Sequence, residues 1–194
     1  MARTKAFNET EAIDQALDLF WRQGYEATSV RDLSLRTGIG ISSLYNAFGD
    51  KHDVYGAALE RYGEMEREQF AAYLAEPRPL RPMLADIFAE LIDTLLSDAG
   101  SRGSFTLNAA IELGGRDPAV TTRLRGHFDA ISRLLAERLS EAQAHGEIED
   151  VHPPDEMARY LLLGLYSLAT LVRIDPDRTR LERLAGMILS ILDR

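Results

Sequence analysis

A short polar cluster has the chemistry needed to bind a nucleic acid, and it consists of Ser42, Ser43, Tyr45 and Asn46. Serine and asparagine hydrogen-bond to the edges of bases, asparagine to adenine in particular, and a tyrosine hydroxyl reaches a phosphate oxygen. Leu44, within the cluster, falls on the opposite side of a helix. The spacing therefore predicts a short helix that presents one polar face to a DNA major groove and one apolar face to a core.

A helix-turn-helix would position this cluster. Apolar residues recur at helical spacing in Val30–Leu35 and again in Ile41–Phe48, on either side of Thr37-Gly38-Ile39-Gly40, where glycine allows a tight turn. Ser29 is predicted to cap the first helix, with Asp32 reaching back as in a capping box. The second helix is predicted to begin at Ser42 or Ser43 and to end at Gly49-Asp50.

Polar, basic and apolar residues around the motif are further candidates for contacts with DNA. Arg3 and Lys5 lie in the N-terminal leader, which is either a solvated tail or an arm that follows phosphates or the minor groove. Lys51 opens the next helix, whose first amide groups are suited to a phosphate. The predicted DNA-binding residues outside the polar cluster are Arg3, Lys5, Thr28, Ser29, Arg36, Thr37, Ile41 and Lys51.

The run from Gly24 to Leu59, GYEATSVRDLSLRTGIGISSLYNAFGDKHDVYGAAL, resembles the DNA-binding domain of the TetR family of bacterial transcriptional regulators. The similarity lies in residue types and spacing: Gly-Tyr after helix one, Thr-Ser before helix two, Gly38 in the turn, Leu44-Tyr45 and Phe48 in helix three, and Lys51 at helix four. The resemblance implies a homodimeric repressor with an N-terminal DNA-binding domain and an all-helical C-terminal domain that binds a small effector.

The composition limits the class of protein. A chain of 194 residues that is 45% hydrophobic can build one large core or a small domain fused to a larger one. The absence of cysteine fits a reducing compartment and excludes disulfides, thiolate metal sites and thiol redox sensing. No apolar run is long enough for a bilayer and the N-terminus lacks the apolar centre of a signal peptide, so we expect a cytoplasmic protein with no membrane partner.

The net charge of −9 is distributed unevenly. Residues 1–51 carry six basic and seven acidic residues, a net charge of −1, which leaves −8 for the remainder. Specific DNA binding requires only local neutralisation of phosphates, so this balance predicts weak non-specific affinity rather than no affinity. The predicted recognition helix contains no Lys or Arg, whereas many TetR-family members carry one there, so the bases it reads stay open.

Helical periodicity continues to the C-terminus and predicts an all-α fold of about nine helices. Asp117-Pro118 is predicted to open a long helix and Asp175-Pro176 to open the last one. Helix four, from Lys51 to about Glu76, is longer than a three-helix domain needs. The predicted domains are therefore a helix-turn-helix domain over residues 1–52 and an effector-binding and dimerisation domain over residues 53–194.

The last two predicted helices are apolar around most of their circumference, which a helix buried on one side only does not require. We expect them to pair with their copies across a twofold axis as a four-helix bundle, as the resemblance also implies; a thick monomeric core is the alternative. Two recognition helices would then read a palindromic operator. The predicted interface residues are Leu161, Gly164, Leu165, Leu168, Leu184, Ile188 and Ile191.

Apolar residues from several helices of the second domain must converge. In a regulator of this architecture an apolar small molecule enters between them, and a few polar side chains orient it; ordinary core packing is the alternative. Ser104 stands where a subset of the family has cysteine, so the resemblance implies a non-covalent ligand. The predicted ligand-binding residues are Phe70, Tyr73, Phe88, Phe105, Asn108, Glu112, His127 and Tyr166.

An enzyme is the rival class. The four histidines lack metal-binding spacing, and the chain contains no Gly-x-Ser-x-Gly and no phosphate-binding glycine loop, so we expect no catalytic site, metal or cofactor. The predicted partners are double-stranded DNA, an unknown small-molecule effector and a second copy of the chain. The predicted function is ligand-released repression at a palindromic operator, with an activator or a helical interaction module as alternatives.

Overall fold

The computed structural model describes residues 7–97 and 102–193, and every regular element within these ranges is helical. The α-helices are α1 Glu9–Gln23, α2 Val30–Thr37, α3 Ile41–Phe48, α4 Lys51–Leu74, α5 Leu80–Leu96, α6 Phe105–Leu113, α7 Pro118–Ala144, α8 Pro154–Leu171 and α9 Arg178–Leu189. A 3₁₀ turn, Ser190–Leu192, follows α9. The predicted all-α fold class is confirmed.

Local capping explains where the first helices begin and end. Asn8 caps α1 by accepting from the amides of Thr10 and Glu11. Ser29 and Asp32 form the predicted capping box at α2, and Gly38 ends that helix in the left-handed conformation with φ 68°. The predicted start of α3 was late, since the helix begins at Ile41 with the backbone of Gly40 as its N-cap.

The predicted start of α9 was early. Asp175-Pro176 does not open the helix; Asp177 caps it by accepting from the amide of Arg180, and the helix begins at Arg178. By contrast, the prediction that Asp117-Pro118 opens a long helix is confirmed. Asp117 Oδ1 accepts from the amides of Ala119 and Val120, each at 2.9 Å, in the first turn of α7. No helix in the described ranges is both long enough and apolar enough to cross a membrane.

The chain forms two compact units, and the first contains the helix-turn-helix. Unit 1 comprises Met1–Met65 together with Phe105–Arg125, so it holds α1 to α3, the first part of α4, the whole of α6 and the start of α7. These bounds differ from the predicted boundary after residue 52, because α4 stays in the unit to Met65 and α6 returns to it. Its most deeply buried side chains include Phe20, Leu33, Leu44, Tyr55, Phe105 and Val120.

Aromatic side chains fill the part of this core that lies beside α1. Tyr55 meets Phe20 and Tyr25 with ring centroids 4.9 Å apart in both pairs, and Trp21 meets Tyr62 at 5.0 Å. Edge-to-face pairs of this kind add to the energy of burial. Leu35 is an exception to the predicted apolar pattern, because 73% of its surface is exposed on α2.

Unit 2 comprises Glu66–Ser104 and Gly126–Arg194, and α5, α8 and α9 pack on one another within it. A Cβ added at Gly164 would lie 2.6 Å from a methyl carbon of Ile188, so glycine permits the close approach of α8 to α9. The buried residues on these helices include Met83, Phe88, Ile92, Leu161, Leu168, Leu181 and Leu189.

Candidate nucleic-acid interface

The exposed tip of α3 carries the predicted polar cluster. Ser42 and Asn46 are exposed and Ser43 is half-buried. Tyr45 is 41% exposed, whereas Leu44 on the opposite face is only 1% exposed and packs in the core of unit 1. The helix is therefore anchored through its apolar face and offers hydroxyl, amide and phenol groups to solvent, with Ile41 beside them at 43% exposure.

The turn before α3 is held by side chains rather than left open to a partner. Thr37 Oγ1 donates to the carbonyl of Leu33 at 2.8 Å and accepts from the amide of Ile39 at 3.3 Å. Ser34 Oγ donates to the carbonyl of Ile39 at 2.7 Å. These bonds fix the angle at which α3 leaves α2, so Thr37 has a structural task in addition to its predicted contact with DNA.

The prediction that the Thr28 side chain contacts DNA is wrong. Its side chain is 1% exposed, and its hydroxyl donates to the carbonyl of Gly24 at 2.6 Å, which leaves no surface for a phosphate. Ser29 remains exposed, but its hydroxyl accepts from the amide of Asp32 at 3.1 Å as the N-cap of α2. The order Thr-Ser at a helix start gives no local signal of which hydroxyl faces inward.

The basic candidates are engaged within the chain. Arg36 Nη2 lies 2.8 Å from Asp18 Oδ2, and Lys51 Nζ donates to the carbonyls of Tyr25 at 3.0 Å and Thr28 at 3.1 Å. The Lys51 ammonium also lies 4.1 Å from the centroid of the Tyr25 ring. A phosphate would have to share these charges with their present partners. Arg3 and Lys5 lie outside the described residues.

A carboxylate from α6 holds the turn between α1 and α2, a contact that the sequence did not predict. The amides of Tyr25 and Glu26 donate to the two oxygens of Glu112, at 2.9 Å and 2.8 Å. Desolvation by burial raises the pKa of the Tyr55 phenol, and the negative charge of Glu112 raises it further. Desolvation also raises the pKa of Tyr25, and the negative charges of Asp50, Glu26, Asp117 and Glu112 raise it further, in that order of size. The partners lie 86 and 87 positions apart, so no local pattern could have revealed them.

Residues at the start of α4 include a group with the chemistry of metal ligands. Side-chain ligand atoms of Asp50, His52 and Asp53 all lie within 4.8 Å of one another. These atoms already serve the fold: Asp50 Oδ1 accepts from the amides of His52 and Asp53, Asp53 Oδ2 accepts from the amide of Asp50, and His52 Nε2 lies 2.6 Å from Asp117 Oδ2. Asp50 and Asp53 therefore cap α4, and His52 connects this cap to Asp117, the cap of α7.

Two protein-family models match the chain. The model described as "Bacterial regulatory proteins, tetR family" matches residues 12–58. The model described as "Tetracyclin repressor-like, C-terminal domain" matches residues 81–188, which is more than half of the chain. The chain belongs to the TetR family of bacterial transcriptional regulators. Its resemblance to this family, first seen in residues 24–59, is confirmed and extends over both compact units.

Relatives of this TetR-family chain match over nearly its whole length. The HTH-type transcriptional repressor ComR of Escherichia coli K12 is 30% identical over 190 residues, 97% of this chain and 90% of that protein. YezE of Bacillus subtilis strain 168, an HTH-type transcriptional regulator, is 28% identical over 197 residues and all of both chains. A cysteine mutant of the TetR-family regulator CifR, solved with 26-bp operator DNA, superposes with a TM-score of 0.84 at 28% identity, over 98% of this chain and 100% of that one.

The residues predicted to bind the effector of this TetR-family protein are divided between the units. Phe105 lies in the core of unit 1 beside Trp21, Tyr55 and Tyr62, and Glu112 holds the α1–α2 turn, so neither residue is available to a ligand in unit 2. Asn108 is half-buried on α6, also in unit 1. The remaining five belong to unit 2: Phe70, Tyr73, Phe88, His127 and Tyr166.

Within unit 2, His127 has the environment most typical of a polar ligand-binding group. Its side chain is 10% exposed, and Nε2 lies 2.9 Å from Glu66 Oε2. The pair is close but poorly aligned, and among the described residues neither ring nitrogen has a hydrogen-bond partner. The Tyr166 ring packs 6.1 Å from the Phe128 ring, and burial, with the charge of Glu66, raises the pKa of its phenol. Tyr73 differs, since its hydroxyl is bonded to Glu90.

The predicted dimer residues fall into two sets. Leu161 and Leu168 are 0% and 1% exposed within the single chain, so they face its own core and have no surface to offer a second copy. Gly164 packs against Ile188, and Leu165, Leu184, Ile188 and Ile191 are half-buried. The exposed apolar side chains on α8 and α9 that the prediction missed are Tyr160 at 45%, Leu163 at 58% and Met187 at 65%.

Proposed function

We propose that this protein is a homodimeric transcriptional repressor that binds a palindromic operator and leaves it when a small apolar molecule binds in unit 2. The observation that carries the proposal is the tip of α3, where hydroxyl, phenol and amide side chains stand exposed on a helix whose other face is anchored by Leu44. A short helix of this kind is suited to the major groove. The expected site of action is the cytoplasm, where bacterial DNA lies.

The proposed dimer interface is the exposed apolar face of α8 and α9. Leu163 and Met187 are more than half exposed, and half-buried Leu165, Leu184 and Ile188 lie on the same two helices. Half-buried Ile191 lies in the 3₁₀ turn that follows α9. Large exposed apolar side chains on two packed helices are typical of a face that another helix pair covers. A twofold axis there would set two copies of α3 apart by a fixed distance, and the operator would share that symmetry.

The proposed effector is apolar and carries a hydrogen-bonding group. Among the predicted residues, Phe70 and Phe88 are buried in unit 2 and Tyr166 is half-buried there. His127 supplies ring nitrogens that lack a hydrogen-bond partner within the described part of the chain. Helices α4 and α7 each contribute residues to both units, so an effector that displaces them in unit 2 would also change the position of the helix-turn-helix in unit 1. Coupling of this kind is commonly about 1 to 3 kcal/mol and is reciprocal, so operator binding must weaken effector binding by the same factor.

The decisive experiment is selection of bound duplexes from a random DNA pool, followed by fluorescence anisotropy with the recovered site. We expect a recovered palindrome, sub-micromolar affinity, and a steep fall in affinity as salt is raised. The recovered site also locates the neighbouring genes and from them the candidate effectors. An activator would bind the same site, and only its position relative to the promoter distinguishes the two.

A helical interaction module without DNA binding is the second candidate. It is favoured by the absence of Lys or Arg from α3 and by the engagement of Arg36 and Lys51 inside the chain. Selection that enriches no sequence, together with no binding to duplex DNA at about 50 mM salt, would support this candidate and reject the repressor.

A further inference from the structure

The turn between α1 and α2, residues 24–28, is held from a distant part of the chain. Both oxygens of the Glu112 carboxylate on α6 accept backbone amides of this turn, from Tyr25 at 2.9 Å and Glu26 at 2.8 Å. Backbone amides of a turn outside the helices need partners, and a carboxylate is a stronger acceptor than a neutral oxygen. The turn thus depends on a side chain that is not part of the helix-turn-helix.

Gly24 provides a second indication that the carboxylate and the turn fit each other. The residue ends α1 with φ +84°, a conformation that side chains disfavour. A Cβ at this position would also lie 3.1 Å from Glu112 Oε2 and 3.2 Å from Oε1. The turn therefore offers the carboxylate a close approach over bare backbone.

The helix that carries Glu112 is itself fixed in unit 1. Phe105, Ala109 and Leu113 on α6 are 1%, 0% and 7% exposed and belong to the same core as Phe20 and Leu33. A shift of α6 would therefore move this core and the carboxylate together. α2 starts at the end of the turn, and side-chain hydrogen bonds of Thr37 and Ser34 fix the angle between α2 and α3. The turn therefore sets where the tip of α3 lies.

We propose that Glu112 is a positioning residue for DNA binding: its carboxylate fixes the α1–α2 turn on α6 and thereby sets the pose in which α3 meets the operator. This inference rests on the proposed DNA-binding function. The proposal gives α6 a role in positioning the helix-turn-helix. A displacement of α6 would be transmitted to α3 through the two hydrogen bonds from the turn to Glu112.

Glu112→Gln tests the proposal because the substitution keeps the shape but presents one NH₂ group where a backbone N–H needs an acceptor. Glu26→Gln is the matched control, since it removes one negative charge on the same turn, from an exposed side chain, and leaves both amides with their acceptor. Two quantities are measured on the full chain: amide hydrogen exchange at Tyr25 and Glu26, and anisotropy with a labelled duplex recovered by selection with the wild-type protein. Circular dichroism checks that each variant is folded.

The sign of the affinity change separates positioning from simple electrostatics. Loss of a negative charge by itself strengthens attraction to DNA, so Glu26→Gln should bind equally or slightly more tightly. For Glu112→Gln we expect exchange at both amides to accelerate about tenfold and operator affinity to fall about tenfold, which corresponds to about 1.4 kcal/mol. Glu112→Asp, which keeps the charge but is one methylene shorter, should behave in the same way and serves if the glutamine variant does not fold.

Unchanged exchange in a folded Glu112→Gln protein would overturn the clamp, that is, the proposal that the Glu112 carboxylate holds the α1–α2 turn. Faster exchange with unchanged or tighter operator binding would overturn the positioning role and leave a purely local contact. Hydrogen exchange needs no DNA, so a wild-type protein that selects no duplex would reject the proposed function while the clamp itself is still tested.

Discussion

At the scale of single residues, Tyr45 and Asn46 are adjacent and both exposed on α3, yet they should fail differently when substituted. An asparagine amide can donate to and accept from adenine, so Asn46→Ala should cost about 1 to 3 kcal/mol at one base step per half-site. A tyrosine hydroxyl that reaches a phosphate carries no base information, so Tyr45→Phe should weaken all sequences alike. Anisotropy against a panel of single-base operator variants measures both, and a uniform loss for Asn46→Ala would contradict base reading.

A second contrast between residues concerns two serines whose hydroxyls do different work. Ser29 caps α2, so Ser29→Ala should lower the free energy of unfolding by about 1 kcal/mol. Ser42 lies in the first turn of α3, whose N-cap is Gly40 and which has no side-chain cap bond, so Ser42→Ala should leave stability nearly unchanged and weaken operator binding. Urea unfolding and anisotropy on both variants test this. Equal stability losses would show that α3 depends on Ser42 after all.

At the scale of elements, the caps of α2 and α7 make unit 1 sensitive to acid. Hydrogen bonds from Ser29 lower the pKa of the Asp32 carboxyl, and the amide of Val120, followed by the His52 side chain, lowers that of Asp117. A carboxyl with a lowered folded-state pKa contributes stability that is complete above about pH 4 and is lost as the pH falls through the folded-state value. The stability of unit 1 should therefore decline below about pH 4.

Asp117→Asn tests that decline, because asparagine still caps a helix but does not titrate in this range. The variant should fold and should show a shallower loss of unfolding free energy between about pH 4 and pH 2.5 than the wild type. Glu60→Gln, at an exposed position on α4, is the control. An acid limb as steep in Asp117→Asn as in the wild type would assign the effect to other carboxyls.

The sequence predicted elements well where a helix carries its own signals. Ser29 and Asp117 cap helices through residues two or three positions away, and these helices start where the pattern indicates. Contacts between distant segments were not predictable: Glu112 meets Tyr25 across 87 positions, and Arg36 meets Asp18 across 18. Such pairs depend on how helices pack. For the same reason Thr28 and Leu35 were assigned to the wrong environment.

The same limit applies to α8 and α9. A helix that is apolar on most sides must have more than one partner, but periodicity does not say which side faces which partner. The structure places Leu161 and Leu168 in the chain's own core and leaves Tyr160, Leu163 and Met187 exposed. The proposed interface therefore shifts around α8 while the helices that form it stay the same.

At the scale of the whole molecule, dimerisation and operator binding should be lost together. Leu163→Glu places a charge on the exposed face of α8, where desolvating it against a second copy is costly, so the variant should sediment as a monomer. A monomer binds only one half-site and loses the gain from binding two linked half-sites, so operator affinity should fall by about 10² to 10⁴-fold.

Val151→Glu is the matched control: Val151 is 65% exposed but precedes α8, so this variant should stay dimeric and bind normally. A dimeric Leu163→Glu protein would move the interface away from this face, whereas a monomeric one with undiminished affinity would show that two joined heads are not needed to read the operator.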